Sequence, residues 1–386
     1  MKKNLLIILL LFISIMVVGC KPNRDVINKP NRDVIKRFTL EPTFGGLLTE
    51  VTLLAEEEKF SEYADLRLDL SAITNELNAL YSTTKNTSYI KKINDKAGIE
   101  AVKVTDEVIF ILEEAIKTSE LSIVGDVALY DITISPIIDL WNINELGYTK
   151  TLEYAEIPND EYIQQKLPLI GYNNIVIDKE EKTVFLSKVG MKIDLGSILK
   201  GYAADKLARY IKELGFKNGI VNVAGNLLTF GKNTLKETPE NWTIGITMPY
   251  RGPGDPNRIG NLYFDNITAV SSGIYERYIR TKEGDEYHHI FDPRTGYPID
   301  NELMHVSIFT DLSITGDALS TTIFALGLEA GYEKVESLDG VEALFITKDK
   351  EIYITSGLVG NFSFNEEVAE PKYGYSNKGV LDGISN

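Results

Sequence analysis

Val270-Ser271-Ser272-Gly273-Ile274-Tyr275-Glu276-Arg277-Tyr278 opens a stretch that continues through Tyr287-His288-His289-Ile290-Phe291-Asp292-Pro293-Arg294-Thr295-Gly296. It closes with Thr315-Gly316-Asp317-Ala318-Leu319-Ser320-Thr321-Thr322. Two of the chain's three histidines stand side by side within it. Tyr287 to Phe291 alternates aromatic or apolar residues with others and ends at Asp292-Pro293, which predicts a strand running into a turn. Successive strand side chains face opposite ways, so His288 and His289 cannot both enter one site. Two exposed strand histidines are an equal reading of that pattern. Thr315-Gly316-Asp317, ahead of an apolar run closed by Gly327, predicts a capped helix beginning there. Asp317 and Thr321 lie four apart and share one helical face. An acid in a first turn commonly answers the helix dipole. Carboxylate and hydroxyl oxygens also suit a hard cation such as Mg²⁺. The residues of this stretch alone leave both readings open.

The wider pattern is more specific. Asp194-Leu195-Gly196-Ser197-Ile198-Leu199-Lys200-Gly201-Tyr202-Ala203-Ala204-Asp205 resembles the DLGGIAKGYAVD signature of ApbE-type flavin transferases. Ser272-Gly273-x-Tyr275-Glu276-Arg277, Tyr287-x-His289-Ile290-x-Asp292-Pro293-Arg294-Thr295-Gly296-x-Pro298 and Asp317-Ala318-Leu319-Ser320-Thr321 resemble three further blocks of that family. Val221-Asn222-Val223-Ala224-Gly225-Asn226, Asp131-x-Thr133-x-x-Pro136 and Trp141 match weaker ones, all in the family's order. The resemblance spans about Thr43 to about Gly357. It implies an α+β, two-lobed, T-fold-related architecture, with mixed and antiparallel sheets flanked by helices and a nucleotide between the lobes.

At the start of the chain, Lys2-Lys3 precedes an apolar run from Leu5 to Val18 that ends at Gly19-Cys20. A basic segment, a short apolar core and small residues describe an export signal rather than a membrane span. The Cys after the small residue resembles a lipobox, implying a signal over 1–19, lipidation of Cys20 and anchorage to a membrane in the cell envelope. Cys20 is the only cysteine, so the mature fold has no disulfide, cysteine metal site or thiol nucleophile. Lys-Pro-Asn-Arg-Asp-Val-Ile occurs twice, at Lys21–Ile27 and Lys29–Ile35, and reads as part of a tether over 20–38; a duplication without function is an equal reading. The folded region is expected over 39–365, and 366–386, polar and glycine-bearing, as a loosely attached tail. The net charge of -16 argues against nucleic acid, whose binding needs a positive surface. No Gly-x-Gly-x-x-Gly or Gly-x4-Gly-Lys-Ser/Thr marks a Rossmann or P-loop site.

Coarse patterning predicts helices over Phe60–Leu80, Thr105–Ser119 and about Ser197–Leu214. Two short strands are expected within Ile175–Ser187, one at Met191–Asp194, central strands at Gly219–Thr229 and Trp242–Met248, and closing strands at Gly340–Thr347 and Ile352–Ser356. Ile132 and Ile134 read as a strand ending at Pro136, and Trp141 as core.

The resemblance supplies site roles. Phe44 stands where the family has a Met near the flavin. Thr84 stands where many relatives carry a Tyr covering the isoalloxazine, so a stacking aromatic comes from elsewhere, with Tyr81 the candidate, or is absent. Leu129, Tyr130 and Asp131 belong to a loop along the flavin; Asp194, Lys200 and Ile290 are further FAD contacts. Asp317 and Thr321, joined by main-chain oxygens of Ser197 and Ser320, are the metal set, and His289 is the reactive histidine. Asp292 and Arg294 shape the turn. The implied activity is Mg²⁺-dependent transfer of FMN from FAD to a Ser or Thr hydroxyl of an extracytoplasmic acceptor flavoprotein bearing an FMN-binding domain, with AMP released. Two alternatives stay open: a pyrophosphatase splitting FAD into FMN and AMP, and a protein that only binds FAD.

Overall fold

Leu303–Thr310, LMHVSIFT, is buried at every position. A strand covered on both faces has no solvent side and needs no polar alternation. The computed structural model describes residues 35–381 apart from 45–46, 144–153, 236–237, 239, 251, 253 and 370–371. The leader, Cys20 and the tether as far as Val34 lie outside the described residues.

The strand belongs to a ten-stranded sheet. Nine of its strands follow one another in space as they do in the chain: β1 Ile35–Leu40, β2 Leu47–Glu56, β3 Gly219–Val223, β4 Asn226–Phe230, β5 Ile267–Gly273, β6 Leu303–Thr310, β7 Glu342–Thr347, β8 Glu351–Ile354 and β9 Ser376–Gly379. The tenth, Thr43–Phe44, folds back on β2. Neighbours along the path are antiparallel except β8 and β9, which are parallel. The α+β class is therefore as expected, with helices inserted between strands of one long meander.

Helices Leu66–Tyr81, Asp106–Glu120 and Leu199–Glu213 bury Leu70, Leu77, Ile111, Leu112, Leu207 and Ile211 in one core with Val221 and Val223 of β3. Helices Ser313–Leu326 and Leu328–Glu336 pack against β6 and β7 in a second. A small sheet of Trp242–Thr247, Arg258–Phe264 and Phe362–Phe364 joins Phe309, Leu344, Ile346 and Ile352 in a third. That cover explains the uniform burial of β6. Trp141 is core, its Nε1 donating to Gly296 O at 2.9 Å.

Several expectations change. The Phe60–Leu80 helix is two helices, Glu57–Ser61 and Leu66–Tyr81, with turn residues between. Gly219–Thr229 is a hairpin, reversed at Ala224 (φ 51) and Gly225 (φ 97), both in the left-handed region that tight hairpin turns need. Trp242–Thr247 lies in the covering sheet rather than the large one. Met191–Asp194 is not a strand: the Asn94 side-chain amide bonds both the N–H and the C=O of Ile193, doing the work of a neighbouring strand. Ile132–Ile134 is a 3₁₀ turn leading into helix Ser135–Trp141, so Pro136 begins a helix instead of ending a strand. The tether boundary at 38 and the tail boundary at 366 both move. Ile35–Leu40 already pairs with β2, while Val368 and Tyr375 are buried in the third core and β9 closes the sheet. As an edge strand β9 contributes backbone more than side chains, which is why Ser-Asn-Lys-Gly can form it.

Candidate active site

A cavity of about 520 Å³ opens where the start of helix Leu199–Glu213 meets helix Ser313–Leu326, the β3–β4 hairpin and the end of β5. Asp317 is its best-defined feature. Helix Ser313–Leu326 starts at Ser313 and not at Thr315, because its cap comes from another helix. The Asp205 carboxylate accepts the N–H groups of Ser313 at 2.9 Å and Ile314 at 2.8 Å. No local signal at 313 could reveal a cap that lies 108 residues away in the chain.

Asp317 thus sits in the second turn, 2% exposed. Lys200 Nζ donates to its Oδ1 at 2.8 Å and the Gly201 N–H to its Oδ2 at 3.0 Å. The approach requires glycine: a Cβ on residue 201 would lie 2.1 Å from Ser313 O. Gly201 lies in the first turn of its helix, where backbone N–H groups have no partner within the helix, and Asp317 supplies that partner. Thr321, one turn on, also lines the cavity. Ser320 is not among the lining residues: its hydroxyl, which is not the oxygen expected to meet the metal, donates to Asp317 O at 2.8 Å and pairs with Ser272 Oγ at 2.9 Å, turning the side chain to the sheet.

The donors are hard oxygens, and they fit Mg²⁺. Among the described residues no group of three or more His, Cys, Asp or Glu side chains forms a metal cluster. A Mg²⁺ ion here would lean on one or two carboxylates and be completed by water and ligand phosphate, its usual arrangement. Lys200 currently neutralises Asp317 and would compete with such an ion for Oδ1.

The two histidines separate as the strand alternation requires. The strand is Glu286–His288, paired with Tyr278–Arg280, and His289 lies just past its end. Neither ring is an exposed strand side chain. His288 Nε2 donates to Ile299 O at 2.9 Å while its Nδ1 accepts the Ile290 N–H at 3.2 Å, pinning the turn. His289 Nδ1 lies 3.0 Å from Arg277 O. A carbonyl only accepts, so Nδ1 carries the proton and Nε2 keeps its lone pair. His289 lines the cavity. Burial, then the neighbouring Arg277 charge, pushes its pKa from 6.5 to about 3. The ring is therefore neutral, not titrating near pH 7 as a base is usually tuned. An anionic ligand alongside would raise it again by favouring the imidazolium.

Phe44, Leu129, Tyr130 and Ile290 form apolar wall. Tyr130 OH accepts from Ser197 Oγ at 3.2 Å. Asp131 and Asp194 line the cavity but are tied into loops. Asp131 accepts the Thr133 N–H at 2.8 Å, the Thr133 hydroxyl at 2.6 Å and the Tyr172 N–H at 2.7 Å. Asp194 accepts the Gly196 N–H at 2.6 Å. Burial raises both carboxyls above their ordinary values. Thr84 does not reach the cavity; it sits in an exposed loop bonded to Ser82 Oγ. Tyr81 is no substitute, since its ring is buried in the first core. Asn78, one turn earlier on that helix, faces the cavity instead. Arg294 folds onto Asp292 in a two-point ion pair and shapes the turn.

Asn226, Glu276 and Arg277 also line the cavity, among residues to which the sequence reading gave no role. Asn226 is 2% exposed and its Nδ2 has no hydrogen-bond partner. Glu276 stands at the exposed side of the cavity, and desolvation of its carboxyl by the surrounding protein raises it to about 7 against the opposing pull of Lys200. All three sit inside the quoted sequence blocks, but only folding shows which of a block's residues turn inward.

The sequence profile of the ApbE family matches residues 46–345. A protein of Klebsiella pneumoniae named FAD:protein FMN transferase is 32% identical over 277 residues, which is 72% of this chain and 80% of that one. One of Treponema pallidum with the same name is 28% identical over 325 residues, 81% and 85% of the two chains. The crystal structure of the ApbE protein from Thermotoga maritima superposes with a TM-score of 0.70 at 27% identity, over 84% of this chain and 99% of that one. The flavin transferase ApbE from Vibrio cholerae, at 22% identity, shares the fold with a TM-score of 0.71 over 85% and 99%.

Proposed function

The chain belongs to the ApbE family, and from that premise we propose that it transfers FMN from FAD to a hydroxyl of another protein, releasing AMP. One observation carries the reading. An acid, an ammonium and a helix start are joined at Asp317, Lys200 and Gly201, on the same cavity as an imidazole whose Nε2 is a free acceptor.

The acceptor oxygen attacks the FMN-side phosphorus, and the bond to the AMP phosphate breaks. Helix starts favour phosphates because N–H groups and the dipole point outwards, and helix Leu199–Glu213 brings Lys200 there in its first turn. His289 Nε2 takes the hydroxyl proton as attack begins, a role generally worth about 10²–10⁴-fold. The wall of Phe44, Leu129, Ile132 and Ile138 suits a flavin ring. Asp317 and Thr321, with the Ser197 main-chain oxygen, would hold Mg²⁺. When bound, that ion would neutralise charge on the pyrophosphate and ease departure of AMP.

The acceptor belongs to the class of extracytoplasmic flavoproteins with an FMN-binding domain, modified on Ser or Thr. The lipobox-like Cys20 supports an anchor at the envelope surface, where such partners meet the enzyme. The test is one incubation of the protein with FAD, Mg²⁺ and an acceptor domain, read by intact mass and nucleotide analysis. Acceptor heavier by one FMN, with AMP formed, is the expected outcome. Free FMN with AMP would make it a pyrophosphatase, and unconsumed FAD would make it a binder.

A further inference from the structure

His305 stands in the middle of β6, 2% exposed, where an aliphatic residue would fill the same space without a polar ring to satisfy. Both ring nitrogens are taken by side chains. Nδ1 lies 2.8 Å from Tyr275 OH and Nε2 lies 2.7 Å from Ser307 Oγ. Ser307 is fully buried, and its oxygen lies 2.8 Å from Ser271 Oγ, the residue opposite it on β5. Ser271 lines the cavity. At the other end the half-buried Tyr275 ring meets Tyr250, which is 54% exposed. Four side chains therefore form an unbroken hydrogen-bonded line from the cavity, along one face of the sheet across β5 and β6, to the partly exposed Tyr275.

From this line we infer that Ser271, Ser307, His305 and Tyr275 are a relay that carries to solvent the proton released in flavin transfer. The inference rests on the transferase reading. The balance requires such an exit. The acceptor O–H bond breaks, an O–P bond to FMN forms, and the P–O bond to AMP breaks. The phosphate left on AMP has a second pKa near 6 and stays largely unprotonated at neutral pH, so about one proton must leave the cavity. His289, which takes that proton as the base, must give it up before the next turnover.

Every member of the line both donates and accepts. A proton entering from the cavity at Ser271 passes to Ser307 and then to His305 Nε2. His305 releases its Nδ1 proton to Tyr275, whose own proton passes to solvent. No charge has to rest in the interior, where burial disfavours the imidazolium. Rotation of the hydroxyls and a change of imidazole tautomer reset the line. An amide in place of His305 could fill the space but could not pass a proton through.

The experiment uses the full chain with FAD, Mg²⁺ and an acceptor flavoprotein domain, and measures kcat, KM for FAD and the solvent deuterium isotope effect. Tyr275→Phe keeps the ring and removes the outlet; Ser307→Ala removes the middle hydroxyl; Ser307→Thr restores it. Tyr275→Phe and Ser307→Ala should each lower kcat about ten-fold or more, with KM for FAD unchanged and a larger isotope effect, while Ser307→Thr keeps the parental rate. Parental kcat in both deleting variants would overturn the relay and leave the transferase reading standing. So would a Ser307→Thr protein as slow as Ser307→Ala, because packing would then be the cause. A parent protein that forms no flavinylated acceptor would remove the transferase reading and the relay together.

Discussion

His288 and His289 differ in what each ring nitrogen meets, and that difference assigns their roles. His288 is spent on both nitrogens, whereas His289 donates from Nδ1 and offers Nε2 to the cavity. His289→Ala should retain FAD binding and lose about 10²–10⁴ in transfer rate; equal rates for variant and parent would take the base out of the scheme. Its depressed pKa also has a sign. The folded state prefers the neutral ring, so this contribution to stability is complete above pH 6.5 and is lost as pH falls towards about 3. Between those limits a His289→Gln protein should lose less stability on acidification than the parent, by denaturant titration. Asn226 offers the opposite trade. Its buried Nδ2 lacks a partner, and an unmet buried donor costs about 1–3 kcal/mol. Asn226→Leu should therefore raise the melting temperature of the free protein and weaken FAD binding. A variant no more stable and binding FAD as tightly would show that this donor does not meet the ligand. At this scale the sequence reading was uneven. Eleven of the thirteen expected site residues line the cavity, because long motifs fix which residues approach one another. Ser320 and Thr84 do not. Ser320 is three residues from Asp317 and turns to the sheet, and Thr84 lies beyond the helix end at Tyr81.

The joint between helices Leu199–Glu213 and Ser313–Leu326 sets where Asp317 and Lys200 stand. Gly201 is its pivot, with no room for a Cβ against Ser313 O and the Asp317 side chain. Gly201→Ala should force the helices apart at a cost of about 1–3 kcal/mol. It should weaken FAD binding more than a surface Gly→Ala change, measured by calorimetry; unchanged stability and affinity would show that the joint yields freely. The cap on the second helix illustrates why boundaries are harder to read than elements. Thr315 looked like a start because Ser, Thr and Asp cap their own helices, but Asp205 does that work from across the joint. In the same way the Asn94 amide stands in for a strand beside Ile193. Such substitutions are tertiary and leave no local pattern.

For the molecule as a whole, the α+β class followed from the family resemblance, and strands such as β7, β8 and Trp242–Thr247 were legible from apolar runs between turn residues, while β1, β5, β6 and β9 of the large sheet and the limits of the fold were not. Composition marked 366–386 as a loose tail, yet Val368 and Tyr375 are buried in the third core and β9 completes the sheet. Two apolar side chains in a polar stretch are enough, since burying each contributes about 1.5–3 kcal/mol. Removing residues 366–386 should destabilise the entire domain, seen as a lower midpoint in denaturant; an unchanged midpoint would restore the tail reading. The central claim is that the cavity brings Asp317, Thr321 and His289 to bear on one pyrophosphate. A crystal structure of the protein with FAD and Mg²⁺ tests it most directly. The account predicts Asp317 and Thr321 oxygens about 2.0–2.1 Å from the ion, Lys200 moved off Asp317, and His289 Nε2 facing the FMN-side phosphate. Asp317 still paired with Lys200, with the phosphates held elsewhere, would contradict it.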